Sequence, residues 1–316
     1  MIYVINAAVA LLLFAVTGFI ISYIIVNYVL YVRFFRRPNE KRTRKTELHD
    51  SCYDGCREEI LSAAGRMEGL PNERVYCIAK DGVKLSARYY KNGNKKLVVL
   101  CHGAHALPWN NFSVIGETFY KEGYDILLID ERAHWNSGGK FITYGRRESE
   151  DVLCWLDMIK GNDAEEIVLY GVSMGATAIA VASDRIADGR VKAMVLDCGF
   201  SSLYELEHGI IDKRKVPFSI VSGAFDYGAF RSKALPKEKA GDHLAKTNIP
   251  ALFVHGGDDA VVDKGQGEEN YNACASDNKK FILVEGAGHT LASVLGGKET
   301  RDKILKFAKG EFDCGE

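Results

Sequence analysis

The chain has 316 residues, 47% of them hydrophobic and 26% charged, and carries a net charge of −1. That is enough apolar material to bury a large core, and apart from one apolar segment the length fits a single large domain. The charge balance gives no field for a polyanion, so no nucleic-acid partner is expected.

The apolar segment comes first. Residues 7–31 read AAVALLLFAVTGFIISYIIVNYVLY without one charge. At about 1.5 Å per residue they form a helix of roughly 38 Å, long enough to cross a bilayer with some tilt. A secretory signal peptide is the competing reading, but it needs a basic leading flank, a shorter apolar run and a small-residue cleavage site, and nothing before Tyr31 is basic. Residues 1–32 are therefore expected to be a membrane anchor in contact with lipid. Arg33, Arg36, Arg37, Lys41, Arg42, Arg44 and Lys45 follow against the single acid Glu40. This excess of positive charge places the bulk of a single-pass protein in the cytoplasm. Residues 33–69 are expected to form a basic juxtamembrane linker and a lead-in helix, and 70–316 the folded domain.

Beyond the linker, short β-branched runs alternate with helical stretches. Residues 74–79 and 83–90 read as a hairpin around Lys80-Asp81-Gly82, and 97–101, 125–130, 167–170, 193–197, 251–255 and 281–284 read as buried strands. In 147–160, Val152, Leu156 and Ile159 fall on one helical stripe, as do Ile304, Phe307 and Ala308 in 298–309. Continuous apolar strands alternating with helices predict a mostly parallel sheet covered on both faces. The eight cysteines are irregularly spaced and several lie inside apolar runs, which fits buried free thiols. Cys52 and Cys56 could pair or hold a metal, yet no second pair follows at a zinc spacing.

The densest chemical signal is at 167–176, IVLYGVSMGA, where an apolar strand runs into Gly171-x-Ser173-x-Gly175 and then a helix-forming stretch. A serine on so tight a strand-to-helix turn has its hydroxyl pushed clear of the sheet, and its flanking positions have no room for side chains. Ser173 is the candidate nucleophile. No phosphate loop or dinucleotide fingerprint is present, and no metal or organic cofactor is expected.

Cys101-His102-Gly103, Asp130-Glu131-Arg132-Ala133-His134 with Ser137-Gly138-Gly139, the serine motif, His255-Gly256-Gly257-Asp258-Asp259 and Gly286-Ala287-Gly288-His289 occur in this order. With them the chain resembles the α/β-hydrolase superfamily over about residues 70–310. Tyr144-Gly145-x-x-Glu148, Ser173-Met174-Gly175 and 249–256 are similar to bacterial membrane-anchored or cytosolic members of the serine aminopeptidase-like and lysophospholipase-like group. The resemblance implies an α/β-hydrolase fold, an eight-stranded, mostly parallel sheet with helices on both faces and a small cap insert at about 200–246. It implies the order nucleophile, acid, base. The acid then belongs to the loop after 251–255, where Asp258 and Asp259 both stand; the relatives' pattern, with a valine three positions on, selects Asp259 and Val262, while Asp263 replaces a common proline. The base falls on His289. His102 and His255 are expected to bond loop backbone and His134 to brace loops beside the site.

The implied chemistry is acyl transfer from a small-molecule acyl substrate to Ser173, with His289 as general base and Asp259 orienting it. The main-chain N–H groups of Met174 and Ala104 are the expected oxyanion donors. Carboxylic esters head the substrate classes, with thioesters and short amides beside them. A non-catalytic membrane-tethered scaffold and an acyltransferase are the alternatives. The cap carries Phe200, Tyr204, Phe218, Phe225, Tyr227 and Phe230, which either line an acyl pocket or pack the cap onto the core. The sequence leaves acyl group, leaving group and oligomeric state open.

Overall fold

The computed structural model describes residues 2–39, 48 and 53–311. Lys41, Arg42, Arg44, Lys45, His49, Cys52 and Cys314 lie outside the described residues.

Eight strands form one sheet in the order β1-β2-β4-β3-β5-β6-β7-β8. They are β1 (Asn72–Ile78), β2 (Lys84–Tyr90), β3 (Lys96–Cys101), β4 (Asp125–Asp130), β5 (Glu166–Val172), β6 (Val191–Asp197), β7 (Ala251–Gly256) and β8 (Lys279–Val284). The pairs β1–β2 and β2–β4 are antiparallel and the other five are parallel. The expected hairpin and strands all form, but β8, at the edge of the sheet, is only half-buried apart from Val284. Runs such as Leu97, Val98, Val99 and Leu100 are buried throughout because helices cover both faces.

One face carries α4 (Arg146–Met158) and α5 (Met174–Ala182), whose Val152, Trp155, Leu156 and Ile179 meet Val99, Leu127 and Leu169 of the sheet. The other carries α3 (Pro108–Lys121) and α11 (Gly297–Ala308), with Phe112, Ile115, Phe119, Ile304 and Phe307 against Val98, Tyr170 and Val195. The expected lead-in helix is α2 (Arg57–Glu68), which buries Ile60, Ala63, Ala64 and Met67. Within the insert, α6 (Leu203–Lys213) and α7 (Phe218–Ser232) form the cap, whereas α8 (Ala240–Leu244) buries Ala240 and Leu244 in the same cluster as α5 and belongs to the sheet layer. Helix α9 (Lys264–Ala273) and the short α10 (Ala292–Leu295) complete the described α-helices.

The amino-terminal helix α1 (Ile2–Phe35) is long and apolar enough to cross a membrane. It runs past residue 32, the expected end of the anchor, and its last turns are built into the domain. Tyr31 and Phe35 are buried, and Asn27 is buried on the side of α7, where its Nδ2 donates to the Ile220 carbonyl at 3.0 Å and its Oδ1 accepts from the Ala224 N–H at 2.7 Å. Tyr31 meets Tyr227 edge-on with ring centroids 4.9 Å apart. Phe35 packs on Gly228, where a Cβ would collide with its ring. Contacts that advance together along both helices make α1 and α7 parallel. The chain then continues as backbone pairing with 140–142: the Arg37 N–H donates to the Lys140 carbonyl at 3.1 Å and the Ile142 N–H to the Phe35 carbonyl at 2.9 Å. The Arg37 guanidinium donates to the carbonyls of Ser137, at 2.6 Å, and Trp135. Expected linker residues are thus part of the fold.

Candidate active site

Ser173 sits between β5 and α5 at φ 54° and ψ −117°, a conformation few side chains tolerate. Its neighbours explain how the turn closes. A Cβ on Gly171 would lie 2.5 Å from the Ala176 Cα, and one on Gly175 would lie 2.5 Å from the carbonyl carbon of Cys101, so both positions must be glycine. The Ser173 N–H donates to the Asp197 carbonyl at 2.8 Å, tying the elbow to the end of β6.

Asp259 lies on the loop after β7. Its Oδ1 accepts from the N–H groups of Val261 at 2.8 Å and Val262 at 2.9 Å, and its Oδ2 stands 2.7 Å from Nδ1 of His289. His289 lies on the loop after β8, and its Nε2 is 3.0 Å from Ser173 Oγ. Because a carboxylate only accepts, Nδ1 carries the imidazole proton and Nε2 is the free acceptor facing the serine. Burial pushes the Asp259 carboxyl up, but the His289 ring and the two loop N–H groups outweigh it and hold the carboxyl below its ordinary value. Asp258 is exposed, so of the two neighbouring carboxylates only Asp259 reaches the histidine. Asp263 caps α9, its carboxylate accepting from the Gly265 N–H at 2.9 Å.

Among the other described histidines, His102, His134 and His255 bond loop backbone beside the site. His102 Nε2 accepts from the Glu131 N–H at 3.0 Å and its Nδ1 lies 2.7 Å from the Gly103 carbonyl. His134 Nε2 accepts from the His105 N–H at 2.9 Å, bracing that loop as expected. His255 bonds the Val262 carbonyl at 3.2 Å. Glu148 explains the Tyr-Gly-x-x-Glu motif: buried at the start of α4, its carboxylate accepts from the N–H groups of Thr143 at 2.9 Å and Gly145 at 3.0 Å.

Ser173 and His289 open into a cavity of about 180 Å³. Ala104 and Met174, the residues expected to supply the oxyanion donors, are on its wall with the serine, Met174 being the first residue of α5. The remaining wall is largely apolar: Tyr144 and Phe200 from the body, Leu203, Leu206 and Ile210 from α6, Phe225 from α7, and Phe34 from the last turn of α1. Three residues here escaped the sequence reading. Phe34 was hidden in a stretch whose charge marks a linker. Glu207 lines the cavity almost fully buried, its Oε1 without a hydrogen-bond partner, and burial with Asp226 nearby pushes its carboxyl up to about 8. Asp197, at the end of β6, is buried behind the histidine with its carboxyl held up to about 7 by burial and accepts from the Tyr170 hydroxyl at 3.2 Å; its place at a strand end was the available signal.

Cys198, Asp259 and His289 have donor atoms within 4.8 Å of one another. A metal would need the thiolate, and burial next to Asp197 and Asp259 pushes that thiol well above its ordinary value. Asp259 and His289 are moreover already bonded to each other.

The model of the serine aminopeptidase S33 family matches residues 92–208 and 215–293, more than half of the chain and every residue of the Ser173–His289–Asp259 relay. The chain belongs to that family. Its fold is that of the α/β-hydrolases, as the resemblance implies. It is similar to the uncharacterized protein YqkD of Bacillus subtilis, with 25% identity over 69% of this chain and 73% of the relative. It is also similar to the uncharacterized membrane protein YNL320W of Saccharomyces cerevisiae, with 27% identity over 77% of this chain and 81% of the relative. Among solved structures, the esterase Pf2001 of Pyrococcus furiosus aligns with a TM-score of 0.66 and 23% identity, covering 78% of this chain and 94% of that one. Membership makes the chain a hydrolase-fold protein with general hydrolase chemistry, and the likeness to Pf2001 speaks to its fold.

Proposed function

We propose that the protein is a serine hydrolase that cleaves carboxylic esters of small apolar acyl groups through an acyl-enzyme on Ser173. The observation that carries this reading is the continuous relay from Ser173 Oγ to His289 at 3.0 Å and from His289 to Asp259 at 2.7 Å. The imidazole accepts the hydroxyl proton as Oγ attacks the acyl carbonyl, and Asp259 stabilises the imidazolium that forms. The N–H groups of Met174 and Ala104 receive the oxyanion, each worth about 3 kcal/mol of transition-state stabilisation. His289 then gives the proton to the leaving alcohol and later deprotonates the water that releases the acid. Thioesters and short amides follow the same path. The cavity of about 180 Å³ is comparable with one that holds a benzene ring, about 150 Å³, which favours short acyl chains.

The same reading makes α1 a single membrane span, with the domain on the side of Arg33, Arg36 and Arg37. A reporter fused to the carboxyl end tests it; a signal outside the cytoplasm overturns the orientation.

The chemistry is tested with the full chain in detergent, using a fluorophosphonate probe and p-nitrophenyl esters graded by chain length beside aryl amides. Labelling and turnover should vanish in Ser173→Ala, and butanoyl should exceed acetyl. An unlabelled wild type, or equal labelling of the variant, overturns the proposal.

A further inference from the structure

The parallel packing of α1 and α7 fixes how far the cap stands from the apolar part of α1. Gly223 lies against Tyr23 and Asn27, so Phe218, five residues earlier, is about 8 Å nearer the amino end of α1, level with about Phe19. From that level down to Ile2, α1 runs about 18 residues or roughly 27 Å, and its described side chains there are all exposed and, apart from Asn6 and Thr17, carry no strongly polar group, a length close to the thickness of a bilayer's hydrocarbon core. The tip of the cap, between α6 and α7, therefore stands beside the apolar length of α1, which goes on exposing Ile20, Ile21, Ile24, Ile25 and Val29 past that level, so the charge of the tip sets where the headgroups would begin.

The tip's composition suits that position. Arg214 and Lys215 are exposed in succession after Asp212 and Lys213, whose Nζ turns back to donate to the Asp259 carbonyl at 3.2 Å, and Val216 and Ile220 expose 37% and 46% of their surface beside them. Cations next to exposed aliphatic residues match an anionic headgroup layer over hydrocarbon. An aromatic stack leads inward from the same place: His208 lies on Phe218 with centroids 4.1 Å apart, Phe218 is stacked with Phe225 at 6.3 Å, and Phe225 lines the cavity that holds Ser173.

We propose that the cap tip, residues 213–220, seats on an anionic bilayer surface and that the acyl esters reaching Ser173 are drawn from that bilayer along the Phe218–Phe225 stack. The second half rests on the esterase reading; the seating rests only on α1 as a membrane span. Continuity with α1 sets the occupant, because whatever covers the exposed apolar length of α1 extends to the tip beside it.

The test uses the full chain in nanodiscs of phosphatidylcholine, alone or mixed with phosphatidylglycerol. In Val216→Trp, brominated phosphatidylcholine should quench an added emission component. In Leu235→Trp, which places the indole on an exposed site beyond the far end of α7, it should not. Equal quenching at both positions, or none at 216, overturns the seating. Reversing both cations, as Arg214→Glu with Lys215→Glu, should slow hydrolysis of a butanoyl ester of a long-chain alcohol, held in the nanodisc by its alcohol chain, by about tenfold or more and abolish the gain from phosphatidylglycerol. Hydrolysis of a water-soluble butanoyl ester should stay unchanged. Slowing of both esters alike, or of neither, overturns bilayer delivery. If the soluble ester is not hydrolysed at all, the ester chemistry falls, and quenching by itself still upholds or overturns the seating.

Discussion

The main-chain carbonyl of Phe34 accepts from His105 Nε2 at 3.1 Å. It also accepts from the Tyr144 hydroxyl at 2.9 Å. The last carbonyls of a helix lack partners within it, and here the body of the enzyme supplies them, next to the loop that carries Ala104. The Phe34 ring meanwhile closes the cavity. Phe34→Ala should lower kcat/KM for a butanoyl ester by about 1–3 kcal/mol in transition-state terms, and for an acetyl ester by less. A chain begun after residue 37 loses Asn27, Tyr31, Phe34 and Phe35 together and uncovers one face of α7, so it should melt lower and lose chain-length selectivity. Thermal melts and the ester panel check both.

Asp259 and Asp258 separate cleanly. Asp259→Asn keeps the shape but favours the wrong imidazole tautomer, and kcat should fall about 10⁴-fold. Asp258→Asn, altering an exposed side chain, should leave kcat within a factor of about two.

Gly175→Ala asks a methyl group to share the space of the Cys101 carbonyl, which belongs to a central strand and cannot retreat. A destabilisation of about 3 kcal/mol or more is expected, measurable by denaturant unfolding. Labelling of Ser173 in any folded fraction should fall as the elbow opens.

Glu207 gives a pH signature. Its carboxyl is held up to about 8, first by burial and then by Asp226. In the unfolded chain it loses its proton near pH 4.3. Between those values the folded state binds the extra proton, so stability falls as pH rises from about 4 to about 8 and then levels off. Above about 8 a carboxylate also forms inside an apolar cavity, and KM for apolar acyl esters should rise. Glu207→Gln should flatten both trends, read by melting curves across pH and by KM profiles. A wild type whose KM is flat from pH 7 to 9 contradicts this assignment.

Arg132 and Asp151 form a buried bidentate pair, with both N–O distances 2.6 Å and both side chains at most 5% exposed. Asp81 shares the guanidinium at 3.0 Å. Asp151→Ala leaves a buried cation short of its main partner and should cost about 3–5 kcal/mol, seen as a lower denaturation midpoint. This pair braces the loop after β4 against α4, so ester turnover should fall mainly through loss of folded protein.

What could be read from the chain before its structure follows a physical division. Ser173, Asp259 and His289 stand at strand ends, where the sheet dictates their placement, and glycines at 171, 175 and 256 mark turns that admit no side chain. Strands such as 97–101 declare themselves because burial on both faces leaves no polar position. Periodicity cannot report that a helix changes surroundings halfway: α1 is uncharged and largely apolar up to Arg33, yet Tyr31 and Phe35 face protein while Leu11 and Phe14 are exposed. Asn27 was the visible break in that pattern, an amide that requires partners and finds them on α7. Glu207 gave no signal, since a glutamate on an amphipathic helix ordinarily faces water and its burial depends on how the cap closes.

The Asn27 clamp also limits the motion of the whole molecule. A domain joined to a span by a loose linker would sample a hemisphere of positions and orientations. Here the helix that would enter the bilayer is fastened to the cap through both ends of one amide and through Tyr31 and Phe35. Height and tilt of the body are then fixed by the helix, and the freedom left in a bilayer is lateral drift and rotation about the normal. Such a protein searches in two dimensions, and a soluble molecule and a lipid would meet its cavity at rates governed by different geometries of diffusion.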